Sequence, residues 1–310
     1  MNASNCVPPV RDGVGPSCVG LPAGPWATVL DFLVERFPAI TAKVWLERMA
    51  HGEVVNEHGA LMTPNSPYQS HVRVYYYRAV PNEPHIPFDE VVLFQDEHLV
   101  VVDKPHFLPV MPSGGYLAET VLVRLKRRLK IDTLVPIHRI DRDTAGLVMF
   151  SVQPSTRAAY HALFSQRSVK KTYQAIARWR DDLALPITRE SRIVEAGHFM
   201  LQHEVSGAPN AVTHIDVLEV RDARARYQLK PVTGKRHQLR VHMAALGLSI
   251  EGDGLYPVLT PEGQIDEAHP LQLLAKRIEF VDPVTGQHRQ FESQRQLLMM
   301  SACAHEYMAH

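Results

Sequence analysis

"PIHRIDRDTAGLVMF", residues 136–150, sets an ionic cluster directly against an apolar run. His138, Arg139, Asp141, Arg142 and Asp143 fill five of six consecutive positions, and "GLVMF" then reads as a buried strand. A loop anchored by a core strand accounts for both halves. Neighbouring cations favour the ionised form of a carboxylate, and an ionised carboxylate in a confined site can serve as nucleophile or general base. Spacing alone leaves a solvated surface turn equally open.

Working outward, "VVLFQD" (91–96) and "HLVVVDKP" (98–105) suggest a hairpin. "KTYQAIARW", "VTHIDVLEV" and "RARYQLKPV" read as strands, and "LLAKRIEFVDPVTGQHRQFE" as a late hairpin. "AETVLVRLKRRLK" and "GKRHQLRVHMAALG" carry helical spacing. Strands do not alternate regularly with helices, which disfavours a doubly wound parallel sheet and favours an α+β class. Upstream, "TVLDFLVERF" and "PAITAKVWLERMAHG" read as helices and "EVVN" and "HVRVYYY" as strands. The expected organisation is a loose lead-in (1–25), a small α/β unit (26–79), a proline-rich linker (80–90), a large domain (91–298) and a tail (299–310).

Composition narrows the class. The 310 residues are 45% hydrophobic and 21% charged, as in ordinary globular proteins. Thirty-three basic side chains balance 33 acidic ones, yet "RLKRRLK" (124–130), "RSVKK" (167–171) and "KPVTGKRHQLRVH" (230–242) hold no acid. One basic face is therefore compatible with zero net charge. Three cysteines, none in a CxxC pair, argue against a disulfide framework or structural zinc. No run resembles a signal peptide or approaches the roughly 18 apolar residues of a membrane span. A cytoplasmic, soluble protein is expected.

Two further stretches carry chemistry. In "TGKRHQLRVH", His237 and Arg240 are three apart and share a helical face, although a basic surface helix gives the same pattern. His237 and His242 are five apart, the wrong spacing for one helical face, so a metal site is disfavoured. In "KKTYQAIA", Tyr173 sits in a strand, where packing is the commoner role and base stacking the rarer.

In this order the motifs resemble the RluA-type pseudouridine synthases. "HRIDRDTAGL" is similar to that family's H-R-L-D-x-x-T-S-G-L, "KKTYQAIA" to its K-x-Y-x-A strand, and "TGKRHQLRVH" with "GDGLYP" to its T-G-R-x-H-Q-L-R-x-H and G-D-x-x-Y. "LVVVDKP" resembles its opening strand and K-P turn. The chain departs from the pattern at Ala145 (usually Ser), Lys235 (often Arg), Phe107 (often Gly) and Met111 (often His). The 26–79 unit is similar to the S-four-type RNA-binding domain, named for a small-subunit ribosomal protein.

The resemblance implies the pseudouridine synthase fold: a central, mostly antiparallel mixed sheet flanked by helices, beside a small N-terminal RNA-binding-like unit. It implies isomerisation of uridine in ribosomal or transfer RNA, with no metal, nucleotide or other cofactor, by a protein expected to be monomeric. It casts Asp141 as the reacting carboxylate, Arg240 as its partner ion and Tyr173 as the residue packing on the target base. Arg139 would occupy the space of the flipped base. His138 would support the loop, and His237, Lys171 and Lys235 would contact substrate. Arg124, Lys126, Arg127 and Lys170 are further candidates for phosphate contacts. An inactive RNA-binding relative and an unrelated hydrolase pairing Asp141 with Asp143 are the alternatives.

Overall fold

The computed structural model describes residues 8–197, 200–260 and 266–298. Cys6, Cys303 and the expected tail lie outside them, and Cys18 is a free, exposed thiol. The chain divides into two compact units: the first runs to Pro84 and includes Pro112–Asp132, and the second holds His85–Met111 and the chain from Thr133.

In the first unit, α1 (Val29–Arg36) opens with a capping box. The Thr28 hydroxyl accepts the Asp31 N–H at 3.1 Å, and the Asp31 carboxylate accepts the Thr28 N–H at 3.0 Å. Helix α2 (Ala42–Ala50) follows, stopped by Gly52 at φ +66°. Strands β1 (Ser17–Gly20), β2 (Val54–Asn56) and β3 (Arg73–Tyr76) form an antiparallel sheet with β3 in the middle. Leu33 and Trp45 are fully buried in its core.

Two expectations need correction here. The lead-in is not loose throughout, because β1 pairs residue for residue with β3. Helix α3 (Val121–Leu129), expected in the large domain, belongs to the first unit. Its cations are engaged there: Arg124 with Glu119, Arg127 with Asp12 at 2.6 Å, while Lys126 is buried. Arg124 and Lys126 are thereby largely withdrawn from the surface, whereas Arg127 stays partly exposed in a weak surface pair.

The second unit is built on an 11-stranded sheet. Its strands are β4 (Val91–Gln95), β5 (Leu99–Lys104), β6 (Val135–Pro136), β7 (Ala145–Ser151), β8 (Lys170–Arg178), β9 (Ile187–Glu195), β10 (Gln202–Val205), β11 (Ala211–Arg221), β12 (Arg224–Pro231), β13 (Leu273–Val281) and β14 (His288–Glu292). The order is β10-β9-β11-β12-β8-β13-β7-β5-β4, with β14 added to β13 and β6 to β7. Only β13–β7 is parallel, so the sheet is mixed and mostly antiparallel. Among the described residues two α-helices accompany it, α4 (Arg157–Ser165) and α5 (Gln238–Ala245).

Every residue of β5 and β7 is buried, so both faces of these strands are covered. Leu147 and Met149 pack with Tyr160, Leu163 and Phe280, and Ala145 packs with Ile176 and Leu274. Gly146 is where β7 meets β13. Its φ is +109°, and a Cβ there would lie 2.4 Å from the Ala275 carbonyl oxygen. No side chain fits that approach.

Substituting Gly146→Ala should therefore destabilise the protein by roughly 2–4 kcal/mol through backbone strain and overpacking. Urea denaturation of the two proteins measures the difference. An unchanged midpoint would show that β7 and β13 can separate freely.

Candidate active site

Asp141 sits in the turn that feeds β7, and its carbonyl accepts the Thr144 N–H at 3.2 Å. The turn is anchored from below. Lys104, fully buried at the end of β5, donates from Nζ to the carbonyls of Pro105 and Arg142, each at 2.8 Å. Burial pulls its ammonium down to about 7, against the raising effect of Asp143 and Asp141. His106 Nδ1 donates to the Asp143 carbonyl at 2.7 Å. The Arg142 and Asp143 side chains pair at 2.9 Å, which leaves Asp141 as the carboxylate turned to the cleft.

Arg240 reaches Asp141 from α5. This helix buries Gln238 through Met243, so it is a core element and not a basic surface helix. Arg240 is 2% exposed and is gripped by Asp253, itself 1% exposed, through Nε (2.9 Å) and Nη2 (2.5 Å). Its free Nη1 lies 3.4 Å from Asp141 Oδ2. Burial pulls the guanidinium down, but the hydrogen bonds and charge of Asp253, with Asp141 and Asp143, outweigh it and raise it. Asp253 is fixed in turn by the N–H groups of Leu255 (2.8 Å) and Tyr256 (3.1 Å). His237 Nε2 lies 3.7 Å from the other Asp141 oxygen, Oδ1.

These groups open on a cleft of about 680 Å³ lined wholly by the second unit. Tyr173, on β8, forms part of its wall, and burial, then the nearby Asp141 charge, holds its phenol protonated. His138 stacks on Phe164 with ring centroids 4.7 Å apart, and its Nε2 accepts the Met149 N–H at 3.1 Å. Burial, then Lys171, pushes this imidazole down to about 3, so it is a neutral strut of the loop. Lys171 Nζ donates to the Thr233 carbonyl at 3.1 Å. Arg139, Arg167, Lys235 and Arg236 line the rim and are exposed. Asp141 is the one acid among the described lining residues, against six lysines and arginines.

The sequence-derived site residues Asp141, Arg240, Tyr173, Arg139, His138, Lys171, Lys235 and His237 thus all line one cleft; Lys170 is not among its lining residues. Sequence reasoning assigned no role to Asp253, Tyr256, Lys104 or Gln238. A buried arginine needs a second carboxylate, and "GDGLYP" supplies it, but burial is not visible in sequence.

Gln238 fastens the loop 233–235 to β11. Its amide donates to the Val212 carbonyl and the Thr213 hydroxyl, both at 2.9 Å, and its oxygen accepts from the Thr233 hydroxyl (2.6 Å) and the Lys235 N–H (3.1 Å). The chain of bonds continues to His242, which is fully buried between Thr213 (2.9 Å) and Ser191 (3.0 Å). No cluster of three or more metal-ligating side chains occurs among the described residues, and no described helix is long and apolar enough to cross a membrane.

This fold and cleft define a class. The family model for RNA pseudouridylate synthase matches residues 98–245. The dual-specificity RNA pseudouridine synthase RluA of Salmonella typhi is 33% identical over 217 residues, covering 68% of this chain and 94% of the relative. The ribosomal large subunit pseudouridine synthase D of Xylella fastidiosa is 30% identical over 273 residues, 81% of this chain and 80% of the relative. Among solved structures, human RNA pseudouridylate synthase domain containing 1 shares the fold, with a TM-score of 0.56 and 21% identity over 71% of this chain and 94% of that one. The chain belongs to the RNA pseudouridine synthases of the RluA type. It is an isomerase that converts uridine to pseudouridine in RNA.

Replacing Asp253 by Ala strands the Arg240 charge in the core and should destabilise the protein by about 3–5 kcal/mol, read from urea denaturation. His242 gives a pH signature. Burial lowers its imidazole to about 4, with Glu204 opposing and Arg189 assisting. The unfolded chain takes up this proton near pH 6.5, before the folded one does, so acid favours unfolding. Wild type should lose on the order of 3 kcal/mol between about pH 6.5 and 4 from this group. The stability of His242→Gln should fall correspondingly less over that interval, and parallel curves would refute the assignment.

Proposed function

We propose that Asp141 is the carboxylate that carries the isomerisation, with Arg240 as its fixed counter-ion and Tyr173 as the surface on which the target uracil packs. The supporting observation is the convergence of Asp141 and Arg240, 99 positions apart, at 3.4 Å in a cleft that Tyr173 also lines. The N-glycosidic bond breaks, the uracil turns, and C5 bonds to the sugar carbon that N1 left. The proton displaced from C5 is returned elsewhere on the base, so the product is an isomer and the balance needs no external reagent.

The target nucleotide must leave its stack to reach Asp141, at a cost of a few kcal/mol. Arg139, exposed beside Asp141, is the group we assign to the vacated space. Lys235 and Arg236 lie where phosphates would approach, and such contacts position RNA without reading its sequence. Lys171 instead braces the 233–235 loop through Thr233. The substrates that fit the relatives are structured ribosomal or transfer RNA. The N-terminal unit, with its helix-helix-strand order, is proposed as a second contact with that RNA.

Asp141, Arg240 and Tyr173 all line one cleft, which speaks against an inactive relative. A hydrolase pairing Asp141 with Asp143 is disfavoured by the Arg142–Asp143 ion pair. RNA carrying tritium at uracil C5 tests the reading. Wild type should release tritium, and Asp141→Asn should release it at below about one-thousandth of that rate while still binding RNA. Full release by Asp141→Asn would overturn it.

A further inference from the structure

The two oxygens of Asp141 have different neighbours. Arg240 serves Oδ2, and its chemistry is fixed, because a guanidinium is always charged. Oδ1 faces His237, whose chemistry depends on which ring nitrogen carries the proton. The structure determines that choice through a residue on a different segment, Tyr256.

His237 Nδ1 lies 3.0 Å from the Tyr256 hydroxyl oxygen. The same oxygen accepts the backbone N–H of Gln202 at 2.8 Å. A backbone N–H can only donate, so one lone pair of the phenol oxygen is occupied. Among the described residues the phenol has no other hydrogen-bond partner, so Nδ1 is the one acceptor in reach of its proton. Burial keeps that phenol protonated. Nδ1 is therefore an acceptor, and the ring proton sits on Nε2, the nitrogen aimed at Asp141 Oδ1. Burial also keeps the ring neutral, against the raising effect of Asp141 and with the help of Arg240 and Arg236.

The backbone supports a dedicated placement. His237 has φ +54° and ψ 15° at the start of α5, a left-handed conformation that costs energy for a non-glycine residue and tends to persist where geometry demands it. We infer that His237 is a positioning residue for the reaction: a neutral imidazole, locked by Tyr256 in the Nε2–H form, that donates to Asp141 Oδ1 and fixes the rotation of the carboxylate about its Arg240-held oxygen. This rests on Asp141 being the reacting carboxylate, and it replaces the direct substrate contact expected of His237. The 3.7 Å separation is longer than a made hydrogen bond, and the inference requires it to close when substrate fills the cleft.

The test compares variants that a structural role and a donor role rank in opposite orders. Asparagine tolerates the left-handed conformation better than glutamine, but its amide reaches only the Nδ1 position. Glutamine sets an amide N–H near the Nε2 position. If His237 merely holds the turn, His237→Asn should be the more active variant. If it donates to Asp141, His237→Gln should keep kcat within about tenfold of wild type, while His237→Asn loses about 10- to 100-fold, the factor carried by one hydrogen bond to a charged group. KM for the RNA should stay level in both. Tyr256→Phe should lower kcat with KM unchanged.

A readout free of turnover separates this inference from the assignment of Asp141. In 15N NMR of the histidine rings near neutral pH, the signals absent from His237→Gln should show a protonated Nε2 and a bare Nδ1. In Tyr256→Phe they should shift toward the other tautomer. A protonated Nδ1 in wild type, or an asparagine variant more active than the glutamine one, would overturn the inference whatever Asp141→Asn does.

Discussion

The second unit depends on a cation taken out of water. Arg240 is placed in the core by α5, and a buried guanidinium is tolerable only with a carboxylate in matched geometry. Asp253 provides two of the bonds and is itself saturated by backbone N–H groups, so the pair is a settled unit. What remains is one Nη1 pointing at Asp141. Asp141, the carboxylate proposed to react, is therefore not the main partner of this arginine. It is the weaker, more exposed claimant, 29% accessible and 3.4 Å away, held near the charge without being consumed by it.

Around this pair, separate segments converge by separate means. The Asp141 turn is pinned by Lys104 beneath it and drawn into the sheet by β7. The opposite wall, residues 233–235, is tied to β11 by the four bonds of Gln238. Between them β8 and β13 carry Tyr173 and Leu273 into the lining. The one parallel pairing of the sheet, β13 with β7, brings these pieces together, and it is only possible because Gly146 has no side chain.

Much of this was legible in the sequence, for identifiable reasons. Long strands such as β7 and β8 announce themselves by β-branched and apolar runs, and Asp141, Tyr173 and Arg240 stand in motifs whose order resembles a family. Less visible were β9 and β10, whose alternation is diluted by charged residues such as Glu190, facing solvent, and Arg189, half-buried against Glu204. Strand β1 has four small or polar residues and is a strand only because β3 offers an edge. The basic run in α3 did not disclose its partners, since charge in a sequence does not show them; Glu119 and Asp12 pair with Arg124 and Arg127. Asp253 was in view within a quoted motif, but its role follows from burial, which appears only in three dimensions. Phe107 is a departure whose backbone now has an account: at φ +65° it occupies a glycine-like conformation, kept by a buried ring packed on Phe88.

The arrangement of charge in the cleft also acts as a sieve. Four exposed cations stand at the rim, whereas deeper in, Asp253, buried behind Arg240, balances that guanidinium and leaves Asp141 as the one acid among the described lining residues. This charge pattern favours a phosphate at the rim over one beside Asp141. A nucleobase carries no net charge and meets no such barrier. On the proposed reading, an RNA strand would meet this surface with its backbone held at the rim and its base free to enter, before any hydrogen bond to uracil is made.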